Sequence, residues 1–170
     1  MIKVTAVVFV ALGLSFSGFY FASVYGRKTE ILENIVMMLG IIRTQLRYTH
    51  LPLHSMMRVL EENENVKSLG FVSACIEMTE RGKAFRQSWK ESIMNEKELC
   101  RLIPESVPHL ISFGENLGTT DLEGQLSCCE YYERIFRKLL DDKEEQNKKY
   151  AKLFPTLGIM LGVSAAILIV

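Results

Sequence analysis

The sequence is poor in the residues on which most enzyme chemistry rests. It holds three histidines and four cysteines, and its 20 acidic residues include only three aspartates against 17 glutamates. It has no phosphate-cradling glycine loop, no Gly-x-Ser-x-Gly elbow and no His-Glu-x-x-His pair, which excludes the signatures of P-loop nucleotide hydrolases, serine hydrolases and zinc peptidases. His50 and His54 stand four apart, but Pro52 between them breaks the helix that would place both rings on one face. His109 and the cysteines are the remaining candidate ligands, so a metal or thiol-redox centre is one chemical reading left open; the expected cofactor is none. Cys75, Cys100, Cys128 and Cys129 lack the spacing of a disulfide framework and suit a reducing compartment. Glutamates favour solvated helix faces over metal-binding loops, and nothing in this inventory requires an enzyme.

Excess charge of either sign is also missing. The balance is 20 basic against 20 acidic side chains, so no strongly basic face suggests nucleic acid as a partner. A hydrophobic content of 48% excludes intrinsic disorder. Four prolines, no glycine- or serine-rich tract and no internal repeat exclude linker-like and solenoid chains. With 170 residues there is room for one compact domain and little more.

The distribution of the charges is far from average. Residues 4–25 and 153–170 carry none, and 39 of the 40 charged side chains lie in residues 26–152. About 20 apolar residues suffice for a helix to cross the hydrocarbon layer, so the segments 2–25 and 153–170 are expected to be transmembrane helices flanking a central domain of residues 26–152. A cleaved signal peptide is the other reading of the first segment, with Lys3 ahead of an apolar run. Next to the spans the central domain carries Arg27, Lys28, Lys138, Lys143, Lys148, Lys149 and Lys152, against Lys3 outside. That excess places the centre in the cytoplasm and makes the chain a two-pass membrane protein. Gly18, Ala22 and Gly26, and likewise Gly158, Gly162 and Ala166, recur every four residues. They form small-residue ridges on which the spans can pack with each other or with a partner, although such residues are common in membrane helices anyway.

The centre shows helical periodicity throughout. Ile31, Ile35, Met38, Ile42 and Leu46 form one apolar stripe, continuous with the first span to about Tyr48 and stopping before Pro52. Leu53, Met56, Met57 and Leu60 mark a second helix ending in the polar run 61–65. Phe71, Ala74, Cys75 and Met78 mark a third that closes near Gly82. Phe85, Trp89 and Ile93 mark a fourth, and Leu99, Leu102 and Ile103 form a short apolar turn before Pro104. Ser106 is expected to cap a helix carrying Leu110, Phe113 and Leu117, with Pro108 in its first turn. Thr120 with Glu123 reads as a capping box for the last helix, whose stripe is Leu122, Leu126, Cys129, Tyr132, Phe136 and Leu140. Pro155 is expected to kink or end that helix. Trp89, Tyr48 and the methionines are expected in the core. The fold class is all-α: an antiparallel bundle of about six helices between two terminal spans.

The segments Tyr48-Thr-His-Leu-Pro-Leu53 and Phe113-Gly-Glu-Asn-Leu-Gly118, followed by Thr-Thr-Asp121, resemble the stage III sporulation protein AB family, as does Trp89 in Ser-Trp-Lys-Glu-Ser. The resemblance covers nearly the whole chain and departs at Gln45 and Leu51, where members often have Glu and Thr. It implies a fold similar to a single F-type domain of type II secretion systems. It further implies a non-catalytic platform in a channel apparatus between mother cell and forespore, on the mother-cell side of the outer forespore membrane. The implied partners are a secretion-type ATPase, other membrane proteins of the assembly and further copies of the chain. Pro52, Leu53, Gly114 and Gly118 would shape the bundle's turns, and the charged residues near them (Arg43, Arg47, Glu115 and Asp121) would face a partner; all also suit ordinary turn and surface positions. A membrane-tethered adaptor unrelated to secretion is the alternative.

Overall fold

The computed structural model describes the backbone of residues 2–49 and 52–169. Side-chain surroundings are described for residues 24, 26–49, 52, 53, 55–149 and 160. The chain divides into two units, Glu30–Leu140 and a second made of Met1–Thr29 with Asp141–Val170. Among the described residues all regular structure is helical: α1 (Ile2–Tyr48), α2 (Leu53–Glu62), α3 (Glu64–Lys67), α4 (Gly70–Glu80), α5 (Phe85–Asn95), α6 (Lys97–Leu102), a 3-10 turn (Pro104–Ser106), α7 (Val107–Asn116) and α8 (Leu122–Ile169). In the second unit the solvated part of α8 carries an i,i+4 ion pair, Lys148 Nζ to Glu144 Oε2 at 3.0 Å. Among the described residues no helix is long and apolar enough to cross a membrane. The expected spans fall almost wholly outside the residues whose side chains are described.

The all-α expectation holds, and the apolar stripes fill one core in the Glu30–Leu140 unit. Ile31, Ile35, Met38, Ile42 and Leu46 of α1 are all buried, as are Cys129, Tyr132 and Phe136 of α8. Among the described residues there are eight α-helices rather than about six, because α6 forms over the short apolar turn and α3 over the run read as a polar tail. Asn63 explains α3: its Oδ1 accepts the backbone N–H of Asn65 at 3.1 Å and of Val66 at 3.2 Å, an N-cap that turns Val66 fully into the core. α4 closes as expected at Gly82, whose φ of +89° is open to glycine at no steric cost. Gly82 N–H donates to Thr79 O and Lys83 N–H to Met78 O, the paired bonds of a Schellman motif.

Several local expectations fail in whole or in part, each for a physical reason. Ser106 does not cap α7: it is itself helical (φ −78°, ψ −27°), and its hydroxyl donates to Ile103 O at 2.7 Å within the 3-10 turn. The cap of α8 is Asp121 rather than Thr120, because the longer reach of the Asp121 carboxylate brings Oδ1 to Gly124 N–H at 3.0 Å. Of the two outcomes expected at Pro155, a kink or an end, the end does not occur: the helical backbone of α8 runs to Ile169, since a proline removes only one intrahelical bond. Tyr48 is 73% exposed rather than in the core, since α1 ends there and Tyr48, two residues past the last buried position Leu46, falls off the core face. Leu122 at the start of α8, and Met37 and Met94, are exposed for the same kind of reason, at helix ends or off the core face.

At the centre of the unit stands Trp89, fully buried on α5. Phe71 of α4 meets it edge-on at 5.5 Å between ring centroids, Phe85 lies at 5.7 Å, and Phe113 of α7 at 6.1 Å. The indole N–H donates to Leu110 O on α7 at 2.7 Å, which satisfies the only polar atom of the ring. Gly114, one turn on from Leu110, makes this approach possible: a Cβ there would lie 2.6 Å from Trp89 Cγ and closer still to Cδ1 and Nε1. Gly114 is therefore a close-contact glycine inside α7 and not a turn glycine. Gly118, with φ +77°, is the one that lets the chain leave α7 for α8.

Alanine at a helical glycine normally stabilises by about 1 kcal/mol, yet Gly114→Ala is expected to destabilise the chain by about 1–3 kcal/mol through overpacking. Gly40→Ala, with nothing within 4 Å of its Cβ, provides the opposite sign. Chemical unfolding of the two variants checks this, and a gain in both would show that the indole does not rest on Gly114.

Candidate interaction site

The spacing that buries one face of α1 leaves another outside. Glu33, Met37, Gly40, Thr44 and Arg47 follow one another at three- and four-residue steps beside the buried stripe. On α8 the residues next to the Cys129, Tyr132 and Phe136 stripe are Glu133, Arg137 and Leu140. These two rows, apart from Arg47, wall an open groove of about 610 Å³, with an apolar floor from Val36, Ile41 and Leu140 and charged groups from Glu33, Arg43, Glu133 and Arg137.

Glu133 organises the polar part. It is only 5% exposed, although a buried carboxylate is strongly disfavoured unless paired. Arg137, one turn along α8, donates from Nε at 3.1 Å and Nη2 at 2.7 Å to Glu133 Oε1. Arg43 Nη1 reaches across from α1 to within 3.3 Å of Oε2. That contact is an ion pair without hydrogen-bond geometry, so Oε2 is held by charge alone. Further along, Arg47 Nη2 meets Glu130 Oε1 at 3.5 Å, both side chains being about half exposed. The Arg43–Glu133 and Arg47–Glu130 bridges fix α1 and α8 as antiparallel neighbours within this unit.

The four charged residues singled out from the sequence thus separate. Arg43 lines the groove and Arg47 lies beside its end, both bridged to α8. Glu115 is exposed near the end of α7, and Asp121 is exposed while capping α8; neither lines the groove. Of the motif residues, Trp89 and Gly114 meet in the core, Leu53 is half-buried, Pro52 is exposed at the start of α2, and Tyr48 projects from the end of α1. Gly26 has no atom within 4 Å of the Cβ position. The side-chain surroundings of Gly18, Ala22, His54, Gly158, Gly162 and Ala166, and the whole of His50, lie outside what the structure describes. Glu133 and Arg137 were not singled out in the sequence, where only their Glu-to-Arg i,i+4 spacing signals them.

Among the described residues no group of three or more His, Cys, Asp or Glu side chains is placed to hold a metal ion. The four cysteines are free thiols. Burial pushes the Cys75 thiol up to about 11, against hydrogen bonds with Thr79 and Ser92 that favour the thiolate. Burial, helped by neighbouring Cys128, pushes Cys129 up to about 12. Burial also raises Cys128. A thiol held protonated is a packing group and a poor nucleophile.

The family model described as Stage III sporulation protein AB matches residues 3–170. The chain is also similar to the Stage III sporulation protein AB of Bacillus subtilis (strain 168), with 21% identity over 170 residues, covering 99% of each chain. No solved structure matches.

Two outcomes are expected from the charges and thiols. Arg137→Ala leaves a buried carboxylate with a single imperfect partner and should lose about 2 kcal/mol, whereas Arg47→Ala, at an exposed pair, should lose less than about 1 kcal/mol. Because the folded thiols at Cys75 and Cys129 sit above their usual value of 9.0, the unfolded chain releases those protons first. The associated stability is therefore complete below about pH 9 and declines as pH rises from there toward 12. Iodoacetamide at pH 8 should accordingly label Cys75 and Cys129 only upon unfolding, which mass spectrometry of the labelled peptides reads directly.

Proposed function

The chain belongs to the stage III sporulation protein AB family, and from that premise we propose that it serves sporulation as a non-catalytic platform component of a membrane channel apparatus. In this reading residues 2–25 and 153–170 cross the membrane and the central helical domain lies in the cytoplasm. There it docks a secretion-type ATPase to the other membrane proteins of the assembly. The observation that carries the reading is the relation of charge to helix. The uncharged ends belong to the same helices, α1 and α8, whose opposite ends wall the bundle. A force or displacement received by the bundle then passes along two continuous helices without a loop to absorb it. The basic residues beside both end segments orient the centre toward the cytoplasm. The motifs at Tyr48 and Gly118, whose side chain and backbone are exposed, lie near the charged candidates Arg47, Glu115 and Asp121, which we assign to the ATPase-facing surface.

Co-purification from membranes tests the assignment. Arg47→Glu and Glu115→Lys should fold normally and capture about tenfold less ATPase; unchanged capture in both would remove this surface. Separately, Gly162→Leu should weaken assembly in the membrane by blocking close helix approach, and blue-native electrophoresis of solubilised membranes would show an unshifted complex if the ridge has no role.

A further inference from the structure

We propose that the groove between α1 and α8 seats an acidic amphipathic helix of a partner protein. This deepens the platform reading by giving one of its contacts a location and a chemistry, and it rests on that reading for the orientation of the chains. Three features point to such an occupant. The first is shape. Glu33 to Gln45 gives the groove a length of about 18 Å at 1.5 Å per residue, or about three helical turns. Midway along it, Gly40 leaves an open notch with nothing within 4 Å of its Cβ position. A side chain from a third helix can settle there, between the exposed Met37 and Thr44.

The second feature is charge. Glu133 is one carboxylate facing two guanidiniums, those of Arg43 and Arg137. Arg137 spends Nε and Nη2 on Glu133, and among the described residues Arg43 makes no hydrogen bond at all. Two half-exposed guanidiniums, held in place by a buried counter-ion and with donors to spare, match a carboxylate in the planar geometry that arginine favours. The other acid of the lining, Glu33, stands ten residues from Arg43 along α1, about 15 Å at 1.5 Å per residue, so at the Arg43 end an incoming lysine or arginine would meet two guanidiniums against one buried carboxylate. The third feature is that a second copy fits poorly. Copies rooted in one membrane by the same end run parallel, which sets Glu33 against Glu33 and Arg47 against Arg47. The occupant is therefore a different chain, with an apolar ridge over Gly40 and an Asp or Glu within one turn of it.

A photo-crosslinking amino acid at Met37 of the full-length chain, in membranes of sporulating cells, tests this. The captured peptide should come from a helix of another protein with an acidic residue within one turn of the crosslinked site. Gly40→Leu, which fills the notch where the structure has open space, should lower the yield about tenfold without lowering stability in chemical unfolding. Capture of a second copy, of lipid, of an acid-free segment or of nothing overturns the proposal, as does a yield indifferent to Gly40→Leu. Loss of ATPase co-purification with the Met37 adduct intact would fell the ATPase-docking reading and leave the groove standing.

Discussion

The indole of Trp89 lies on the bare backbone of Gly114, and most of the bundle is arranged around that contact. A tryptophan is large enough to touch α4, α5 and α7 at once, through Phe71, Phe85 and Phe113. It has one polar atom, and burying that atom unpaired would forfeit much of what the ring contributes. The carbonyl of Leu110 accepts its proton, but only if the ring comes close to α7. Glycine at the next turn permits that approach. Geometry at one pair of residues thus sets the separation of α5 from α7 and seats the aromatic cluster, and the packed cluster in turn gives the surrounding helices a surface to close on.

The walls of the bundle meet a different constraint. α1 and α8 each bury an apolar stripe, and the carboxylate of Glu133 is buried beside the stripe of α8. Its partners come from both helices, Arg137 from its own and Arg43 from across. The triad couples register to charge: a slip of α1 against α8 would carry Arg43 away and leave the buried carboxylate to Arg137 alone, a larger penalty than the loss of an exposed pair such as Arg47–Glu130. The same arrangement leaves the two guanidiniums partly open toward the groove. A charge cluster that fixes the pairing of the walls is thereby also available to a ligand. The cysteines take no such double role; Cys75 and Cys129 are held as protonated packing groups by the apolar surroundings that bury them.

Much of this was legible in the residues. The three- and four-residue recurrence of Ile31 through Leu46 and of Cys129 through Phe136 marked the two walls, because an amphipathic helix in a core has one periodicity available to it. Gly82 announced a helix end through the left-handed turn it can adopt. Other features were illegible because they depend on which of several local hydrogen bonds wins. Ser106 and Thr120 have the right chemistry for caps, but the 3-10 turn claimed the hydroxyl of Ser106 and the Asp121 carboxylate claimed Gly124. Asn63 looked like one more polar residue in a charged run until its cap on α3 turned Val66 inward. Glu133 was hidden for a related reason: no local pattern distinguishes a buried glutamate from its exposed neighbours.

By itself the sequence determined the helical class, the apolar faces, the concentration of charge between two uncharged ends and membership of a sporulation family. All of these depend on composition and on intervals of a few residues, which the chain carries in its own order. Tertiary structure decided that Gly114 serves a neighbouring ring instead of a turn, that Tyr48 stands in solvent, and that Arg43, Glu133 and Arg137 meet across two helices. Those facts depend on residues 25 to 90 positions apart being brought within a few ångströms. Distances of that kind are set by how the faces pack, which no interval along the chain records.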